Sequence, residues 1–102
     1  MEKVAAKEWD LTAMLRAIAD PTRRRILQLL KQKGCCSIGM GFGLCACDIE
    51  ERVSLSQPTV SHHMSVLIRA GLVEGERHGQ WRWYRRNEPA LRELARAMRN
   101  EL

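Results

Sequence analysis

Long apolar runs are missing from this sequence of 102 residues. No stretch approaches the roughly 20 residues that a membrane-spanning helix needs. Residues 1–7 also lack the apolar segment and the cleavage pattern of a signal peptide. We therefore expect a protein that stays in the cytoplasm, away from membranes. Thiols are kept reduced in that compartment, so the four cysteines are interpreted as ligands or sensors rather than as structural disulfides.

The features of a thiol oxidoreductase are missing as well. The sequence contains no Cys-x-x-Cys motif, no strand-helix-strand pattern and no acid-base cluster beside its cysteines. We therefore expect no enzymatic activity. No linker or internal repeat interrupts the chain, and its length suffices for one core of modest size. The sequence thus predicts a single domain over residues 1–102.

Basic residues exceed acidic ones, 17 against 12, which gives a formal net charge of +5. Such a balance favours a polyanionic partner, nucleic acid first, although a merely basic surface has the same composition. The placement of the charge is more informative than the total. Four arginines fall in one short stretch, at positions Arg77, Arg82, Arg85 and Arg86.

Helical periodicity marks both ends of the chain. Asp20 and Pro21 are typical of a helix start, and Gly34 is typical of the end of that helix. A first helix precedes it and a last helix opens at Asn87 or Glu88. The second helix is expected to carry Ile26, Leu27, Leu29 and Leu30 inward. Apolar residues share one face in each of the other two helices: Leu11, Met14, Leu15 and Ile18 in the first, and Leu91, Leu94, Met98 and Leu102 in the last.

The middle of the chain has the pattern of a helix-turn-helix. A short helix is predicted near residues 48–53, with Asp48 as its N-cap, and Ser56 is predicted to cap a second helix that Gly71 ends. The predicted inward positions of this second helix are Val60, Met64, Leu67 and Ile68. Two strand-like runs around His78 and Gly79 then predict a hairpin. The expected fold is mainly α with a β-hairpin wing, a winged helix-turn-helix.

Polar side chains at the start of the second helix are suited to reading DNA. The N-terminal end of such a helix enters the major groove, where short or flexible hydrogen-bonding side chains meet base edges and phosphates. The candidates there are Ser56, Gln57, Thr59, Ser61 and His62, and the candidates in the wing are Arg77, His78 and Arg82. The chain's histidines, His62, His63 and His78, are interpreted as facing solvent or DNA, and Trp81 and Trp83 as packing residues.

Several segments together resemble the ArsR/SmtB family of bacterial metal-responsive repressors. They are residues 20–27, 55–64, 70–73 and 79–85, which read DPTRRRIL, LSQPTVSHHM, AGLV and GQWRWYR. The resemblance covers roughly residues 11–100. It implies a winged helix fold, a homodimer formed by the first and last helices, and operator binding that an inducer reverses. Two recognition helices one DNA turn apart predict an operator that is an imperfect palindrome.

The segment Cys45-Ala46-Cys47-Asp48 resembles the family's Cys-x-Cys-Asp signature. The resemblance implies that these thiolates bind the inducer, as they do in family members that respond to arsenite, antimonite, cadmium or lead. Thiolates are soft ligands that select thiophilic ions over magnesium or calcium. We also expect the helix N-terminus to lower the thiol pKa values, which favours the ion-binding form.

Two departures from the family patterns define the predicted site. Glu50 stands where the arsenite-responsive pattern has a third cysteine, and residues 1–34 contain none of the cysteines that the cadmium-type pattern places there. Instead, Cys35 and Cys36 lie across a glycine-rich stretch of eight residues from Cys45, and a loop of that length is inexpensive to close. We predict a thiol sensing loop over residues 34–48. In it Cys45, Cys47 and one of Cys35 and Cys36 form a trithiolate site for arsenite or antimonite.

Alternatives remain open at this point. All four cysteines could bind Cd(II), Pb(II) or Zn(II), Hg(II) is a further thiophilic candidate, and the thiols could instead respond to oxidation. The family's other sensing site uses Asp and His on the last helix, and residues 87–102 contain neither. No cofactor is expected to be required for DNA binding itself.

Overall fold

The computed structural model of the protein describes residues 9–31 and 43–102. These residues form five helices and three strands in the order α1 (Leu11–Ile18), α2 (Pro21–Lys31), β1 (Leu44–Cys45), α3 (Ala46–Val53), α4 (Gln57–Arg69), β2 (Val73–His78), β3 (Trp81–Arg86) and α5 (Glu88–Glu101). The predicted mainly helical fold with a hairpin wing is confirmed. Within these ranges, none of the helices combines the length and the apolar character required to cross a membrane.

The first two helices are joined by a tight corner that their own side chains close. The Asp20 carboxylate accepts hydrogen bonds from the backbone N–H groups of Thr22 and Arg23, at 2.7 and 3.2 Å, which confirms the predicted start of α2. The side chains of Arg23 and Arg24 point back to α1, where they donate to the carbonyl oxygens of Ala17 and Ile18. These bonds satisfy acceptors that a helix end leaves free. The predicted end of α2 at Gly34 lies outside the described residues.

The helix-turn-helix consists of α3, a three-residue turn and α4. Cys45 is the N-cap of α3 and makes no side-chain capping bond, while Asp48 is buried in the first turn. The prediction that Asp48 caps this helix is therefore wrong: the helix begins directly where β1 ends. Ser54 ends α3 in the left-handed region, with φ of 57° and ψ of 44°. The Ser56 side chain accepts from the N–H of Thr59 and caps α4 as predicted.

A three-stranded antiparallel sheet forms the wing, with the strand order β1-β3-β2. Strands β2 and β3 pair along their whole length, from Val73 opposite Arg86 to His78 opposite Trp81, and confirm the predicted hairpin. Strand β1 was not predicted. It places Leu44 opposite Tyr84 and Cys45 opposite Trp83, so the wing is attached to the start of α3.

The core lies between the helices and the inner side of the sheet. Its fully or largely buried side chains include Met14, Ile26, Leu30, Leu44, Ile49, Val60, Met64, Leu67, Leu72, Tyr84 and Leu94. The predicted inward stripes of α2 and α4 are confirmed except at Ile68, which is 40% exposed. Trp83 is buried as predicted for a packing residue, whereas Trp81 is 40% exposed.

Asn87 connects the last helix to the body of the molecule. Its Oδ1 accepts from the N–H of Ala90 and caps α5, in agreement with the predicted start. Its Nδ2 donates to the carbonyl oxygen of Gly71 at 2.9 Å, and its backbone N–H donates to that of Leu72 at 2.9 Å. One residue thus fixes the position of α5 relative to the end of α4.

Candidate nucleic-acid interface and thiol cluster

The predicted DNA-reading side chains of α4 lie at its exposed N-terminal end. All five of them, Ser56, Gln57, Thr59, Ser61 and His62, are exposed, while Val60 and Met64 anchor the opposite side in the core. The Ser56 hydroxyl also donates to the hydroxyl of Thr59 at 3.0 Å, so these two groups are held in a fixed relation. Polar side chains therefore surround the N-terminal end of a helix, the arrangement that attracts phosphate and base edges.

His63 does not belong with these residues, although it follows His62 directly. Its Nδ1 lies 3.1 Å from Nη1 of Arg23, and this contact joins α4 to α2. Because a guanidinium can only donate, Nδ1 of His63 is the acceptor. Burial lowers the pKa of His63; the Asp20 carboxylate opposes this shift, and the charges of Arg23 and His62 add to it. His63 is therefore a neutral packing residue rather than one that faces DNA.

The basic stretch of the hairpin divides into two parts. At the base of the wing, Arg85 pairs with Glu74 at 2.8 Å, and Arg86 pairs with Glu88 at 2.9 Å. Toward the tip, Arg77 and Arg82 are exposed and lie directly opposite each other. Neither makes an ion pair with another described residue. The charge available to an external anion is thus concentrated near the tip.

His78, the third predicted wing residue, is exposed, and its Nε2 lies 3.1 Å from a carboxylate oxygen of Glu76 on the same strand. This contact places a carboxylate beside the histidine. The available positive charge at the tip therefore comes from Arg77 and Arg82.

A cavity of about 450 Å³ separates the wing from the helix-turn-helix. Its walls come from the start of α3, the first turns of α4 and the two long strands of the hairpin. The lining residues are Ala46, Cys47, Glu50, Gln57, Val60, Ser61, Arg77, Gln80, Trp81, Arg82 and Tyr84. Predicted DNA-reading residues and one predicted ion ligand thus share a single cavity.

Two cysteines come together where β1 passes into α3. The Sγ atoms of Cys45 and Cys47 lie 2.8 Å apart, and Sγ of Cys45 lies 3.3 Å from Oδ2 of Asp48. The donor atoms of all three residues lie within 4.8 Å of one another, close enough to hold one ion. Two sulfur donors and one oxygen donor fit a thiophilic ion.

The two thiols have different surroundings, because Cys45 is fully buried and Cys47 is exposed. Burial, and next the hydrogen bond to Cys47, raise the pKa of the Cys45 thiol to about 12; a backbone hydrogen bond at Asp48 opposes this shift. The expectation that the helix N-terminus lowers the pKa of this thiol is therefore wrong. Desolvation outweighs the helix dipole at a side chain with no exposure.

Cys35 and Cys36, and most of the predicted sensing loop, lie outside the described residues. Among the residues that the structure does describe, the third donor near the two thiols is Asp48, which was predicted to be a helix cap and was not predicted to be a ligand. The sequence did indicate that Asp48 lies near the thiols, because an acid that directly follows two spaced cysteines lies in the same first turn of the helix. Glu50 is not part of this donor cluster.

Trp83, predicted to be a packing residue, has a neighbour that the sequence did not indicate. It lies opposite Cys45 in the β1–β3 pair, and side chains directly opposite each other in an antiparallel pair share one face of the sheet. Trp83 is 1% exposed, and its Nε1 has no hydrogen-bond partner within the described parts of the chain. The buried thiol therefore has a large indole as its cross-strand neighbour.

Comparison with known proteins agrees with this architecture. A sequence model described as "Bacterial regulatory protein, arsR family" matches residues 43–75, the segment from β1 through α4 into β2. The transcriptional repressor SdpR of Bacillus subtilis is 37% identical over 85% of this chain and 87% of its own length. The arsenical resistance operon repressor of Staphylococcus aureus is 38% identical over 83% of this chain and 73% of its own length.

A solved structure extends the likeness to three dimensions. The homodimeric winged helix-turn-helix DNA-binding domain of a possible ArsR-family regulator from Mycobacterium bovis has a TM-score of 0.66 and 25% identity. The alignment covers 86% of this chain and 74% of that one. The relatives are transcriptional regulators, a class defined by binding rather than by catalysis. This protein belongs to the ArsR family of bacterial regulatory proteins and is a DNA-binding transcriptional repressor with a winged helix-turn-helix fold.

Proposed function

We propose that a dimer of this chain represses transcription at its operator and leaves the DNA when a thiophilic ion, with arsenite or antimonite favoured, binds its cysteines. One observation carries the proposal: the Sγ atoms of Cys45 and Cys47 lie 2.8 Å apart at the first turn of the helix-turn-helix. A soft ion bound there acts on the element that positions the DNA-reading helix. No ion is needed for the DNA-bound state, which relies on the folded helices alone.

The DNA-binding surface of the proposal combines the start of α4 with the tip of the wing. Its residues are Ser56, Gln57, Thr59, Ser61, His62, Arg77, His78 and Arg82. Support comes from their shared exposure and from the unpaired charge at the tip. In the homodimer that we propose, the first and last helices of two single-domain chains pair, and the recognition helices read an operator that is an imperfect palindrome.

The third ligand distinguishes the candidate ions. Arsenite and antimonite favour three thiolates, which Cys45 and Cys47 complete with Cys35 or Cys36. Asp48 offers an oxygen donor within reach of both described thiols. A carboxylate suits cadmium, lead or zinc better than it suits arsenite, since those ions accept mixed sulfur and oxygen donors. We favour the trithiolate because the arsenical resistance repressor of Staphylococcus aureus is a close relative in sequence.

Coupling between ion and DNA follows from the position of α3. Drawing the two thiols toward a third ligand pulls on the first turn of this helix, which packs against α4. A coupling free energy of about 1–3 kcal/mol lowers operator affinity by roughly 5–150-fold.

The test measures DNA affinity by fluorescence anisotropy, on a duplex that the purified protein selects from a random pool. Arsenite should weaken binding by the wild-type protein by roughly 5–150-fold, while magnesium should leave it unchanged. In the Cys47→Ser variant, affinity should no longer depend on arsenite. The control is Ala46→Ser, a change in the same helical turn that keeps both thiols and should keep the response. Equal affinity of the wild-type protein with and without arsenite would overturn the arsenite assignment, and a parallel cadmium titration then tests the mixed-donor alternative.

The short distance between the two sulfur atoms also favours a second candidate, a repressor that senses oxidation. Hydrogen peroxide would convert the two thiols to a disulfide, with both protons and both electrons passing to peroxide to form water. Peptide mass spectrometry after mild peroxide treatment identifies a Cys45–Cys47 disulfide. Loss of DNA binding that accompanies this product, together with indifference to arsenite, would favour the redox function.

A further inference from the structure

The cavity between the wing and the helix-turn-helix brings the proposed ion site to the proposed DNA surface. Cys47 and Ser61 line it from the helices, and Arg77 and Arg82 line it from the hairpin. The Cys47 thiol reaches this cavity because it lies in the first turn of α3, while Cys45 is buried on β1. Of the two neighbouring thiols, Cys45 is therefore shielded from solvent and Cys47 is accessible to it.

The charge of the cavity fits a strand of nucleic acid backbone. Two guanidinium groups directly opposite each other across a strand pair repel, and an anion between or above them removes that repulsion. A phosphate accepts hydrogen bonds from such groups in a charge-assisted geometry. The carboxylate among the lining residues, Glu50, lies on α3 one turn beyond Cys47. Two arginines against one glutamate leave the lining with a net positive charge, which favours a backbone phosphate in the cavity that Cys47 also lines.

We infer that the ion and the DNA backbone compete for this cavity, so that an ion or adduct on Cys47 excludes DNA directly. This inference rests on the proposed function and specifies its regulation. It differs from a displacement of α3 and α4 alone, because it makes the exposed thiol part of the surface that DNA covers. Two consequences separate the mechanisms: bound DNA shields Cys47, and a bulky group on Cys47 blocks DNA without any ion.

The first experiment measures how fast N-ethylmaleimide modifies Cys47 in the wild-type protein, with and without a saturating amount of the selected duplex. Mass spectrometry of peptides assigns the product to each cysteine separately. Since a covered thiol reacts only after DNA dissociates, the rate at Cys47 should fall at least about tenfold in the complex. Gln28→Cys supplies the control, a thiol at an exposed position on α2 outside the cavity lining, and its rate should not change.

The second experiment modifies the protein first and measures DNA affinity afterwards. Protein carrying maleimide on Cys47 should bind the duplex at least about tenfold more weakly, because the adduct fills space that the backbone needs. In a Gln28→Cys variant whose four native cysteines are replaced by serine, protein carrying the same group should bind as that variant does before modification. Circular dichroism of both adducts checks that the fold is retained.

The outcomes separate the inference from the function it rests on. If the duplex binds and the alkylation rate of Cys47 is unchanged in the complex, the shared cavity is wrong while the repressor function stands. If arsenite releases DNA but the Cys47 adduct does not, helix displacement alone carries the signal. If no duplex is bound in the absence of ions, the proposed function fails together with the inference.

Discussion

His63 shows how one side chain can make the stability of this fold depend on pH. Its pKa in the folded protein lies below the ordinary value of 6.5, with burial as the main cause. The unfolded chain therefore binds a proton more readily than the folded one in the range just below that value. By linkage, the titration of His63 does not affect the free energy of unfolding at high pH. The folded state loses stability as the pH falls through the pKa that His63 has in the unfolded chain.

We expect the His63→Gln variant to lose less stability than the wild-type protein between about pH 7.5 and about pH 5. Glutamine retains an acceptor for Arg23 but does not titrate. The measurement is the midpoint of urea unfolding at each pH. Above about pH 7.5 the two proteins should show parallel pH dependence, since the histidine is neutral in both states there. An identical pH dependence of both proteins at lower pH would contradict the assignment.

Gly43 controls the attachment of β1 to the wing. Its φ is +146°, and a Cβ at this position would overlap the carbonyl oxygen of Tyr84 on β3. We expect Gly43→Ala to lower the free energy of unfolding by about 3 kcal/mol, because strain and a backbone clash act together. Gly79→Ala is the matched control. Its φ is +62°, but no atom lies within 4 Å of the added Cβ, so about 1 kcal/mol is expected.

Urea unfolding of both glycine variants measures the difference. Equal losses at the two positions would show that the contact between residue 43 and β3 does not contribute to stability. A larger loss at Gly43 would confirm that the two-residue strand is held against the wing.

Predictions for single residues succeeded where the cause was local. The exposure of Gln57 and the burial of Val60 follow from helical spacing alone. The partnership of His63 with Arg23 involves residues 40 positions apart, and no pattern within α4 indicates it. The direction of the pKa shift of Cys45 was mispredicted because it depends on burial beside β3. That strand pairs with Cys45 only in the folded chain.

At the scale of elements, Asn87 performs two functions at the start of α5. Its Oδ1 caps the helix, and its Nδ2 holds the carbonyl oxygen of Gly71 after α4. We expect Asn87→Ala to cost about 1–2 kcal/mol in the free energy of unfolding, because the cap and a part-buried bond are both lost. Asn87→Ser retains a capping oxygen but cannot reach Gly71. It should therefore recover about half of the loss in chemical denaturation, and full recovery would show that the bond to Gly71 contributes little.

The sequence predicted the starts of helices better than it predicted the sheet. Asp20, Ser56 and Asn87 are capping residues, and each caps its helix as expected. Strand β1 escaped prediction because two residues carry no periodicity and their partners follow about 40 positions later. The error at Asp48 has the same origin. Once Cys45 pairs with β3, the chain can enter α3 directly, and the acid becomes an interior member of the first turn.

At the scale of the whole molecule, α5 carries apolar area that is exposed within the described part of the chain. Leu94 is buried, but Met98 is 40% exposed and Leu102 is 82% exposed along the same stripe. In the homodimer that we propose, this stripe meets its counterpart. We expect Met98→Glu to weaken dimerisation at least about tenfold, since a charge would be buried without a partner.

Sedimentation equilibrium of the wild-type and variant proteins measures that change. Asn100→Glu is the control, because position 100 lies on the opposite side of the helix from the stripe and adds the same charge. A Met98→Glu variant that dimerises as tightly as the wild-type protein would place the interface elsewhere. A wild-type protein that stays monomeric at all concentrations would exclude the dimer itself.

The unequal burial of the two thiols also sets the order in which they react. A reagent arriving from solvent meets Cys47, which is exposed, before it can reach Cys45, which is covered by the strand pair. Capture therefore has a first step whose rate rises with reagent concentration and a second whose rate is set by local opening at β1. In the ion sensing that we propose, brief exposure would leave the ion on one sulfur, from which it escapes easily. Sustained exposure would engage both sulfurs, so the repressor would respond to lasting rather than to short exposure.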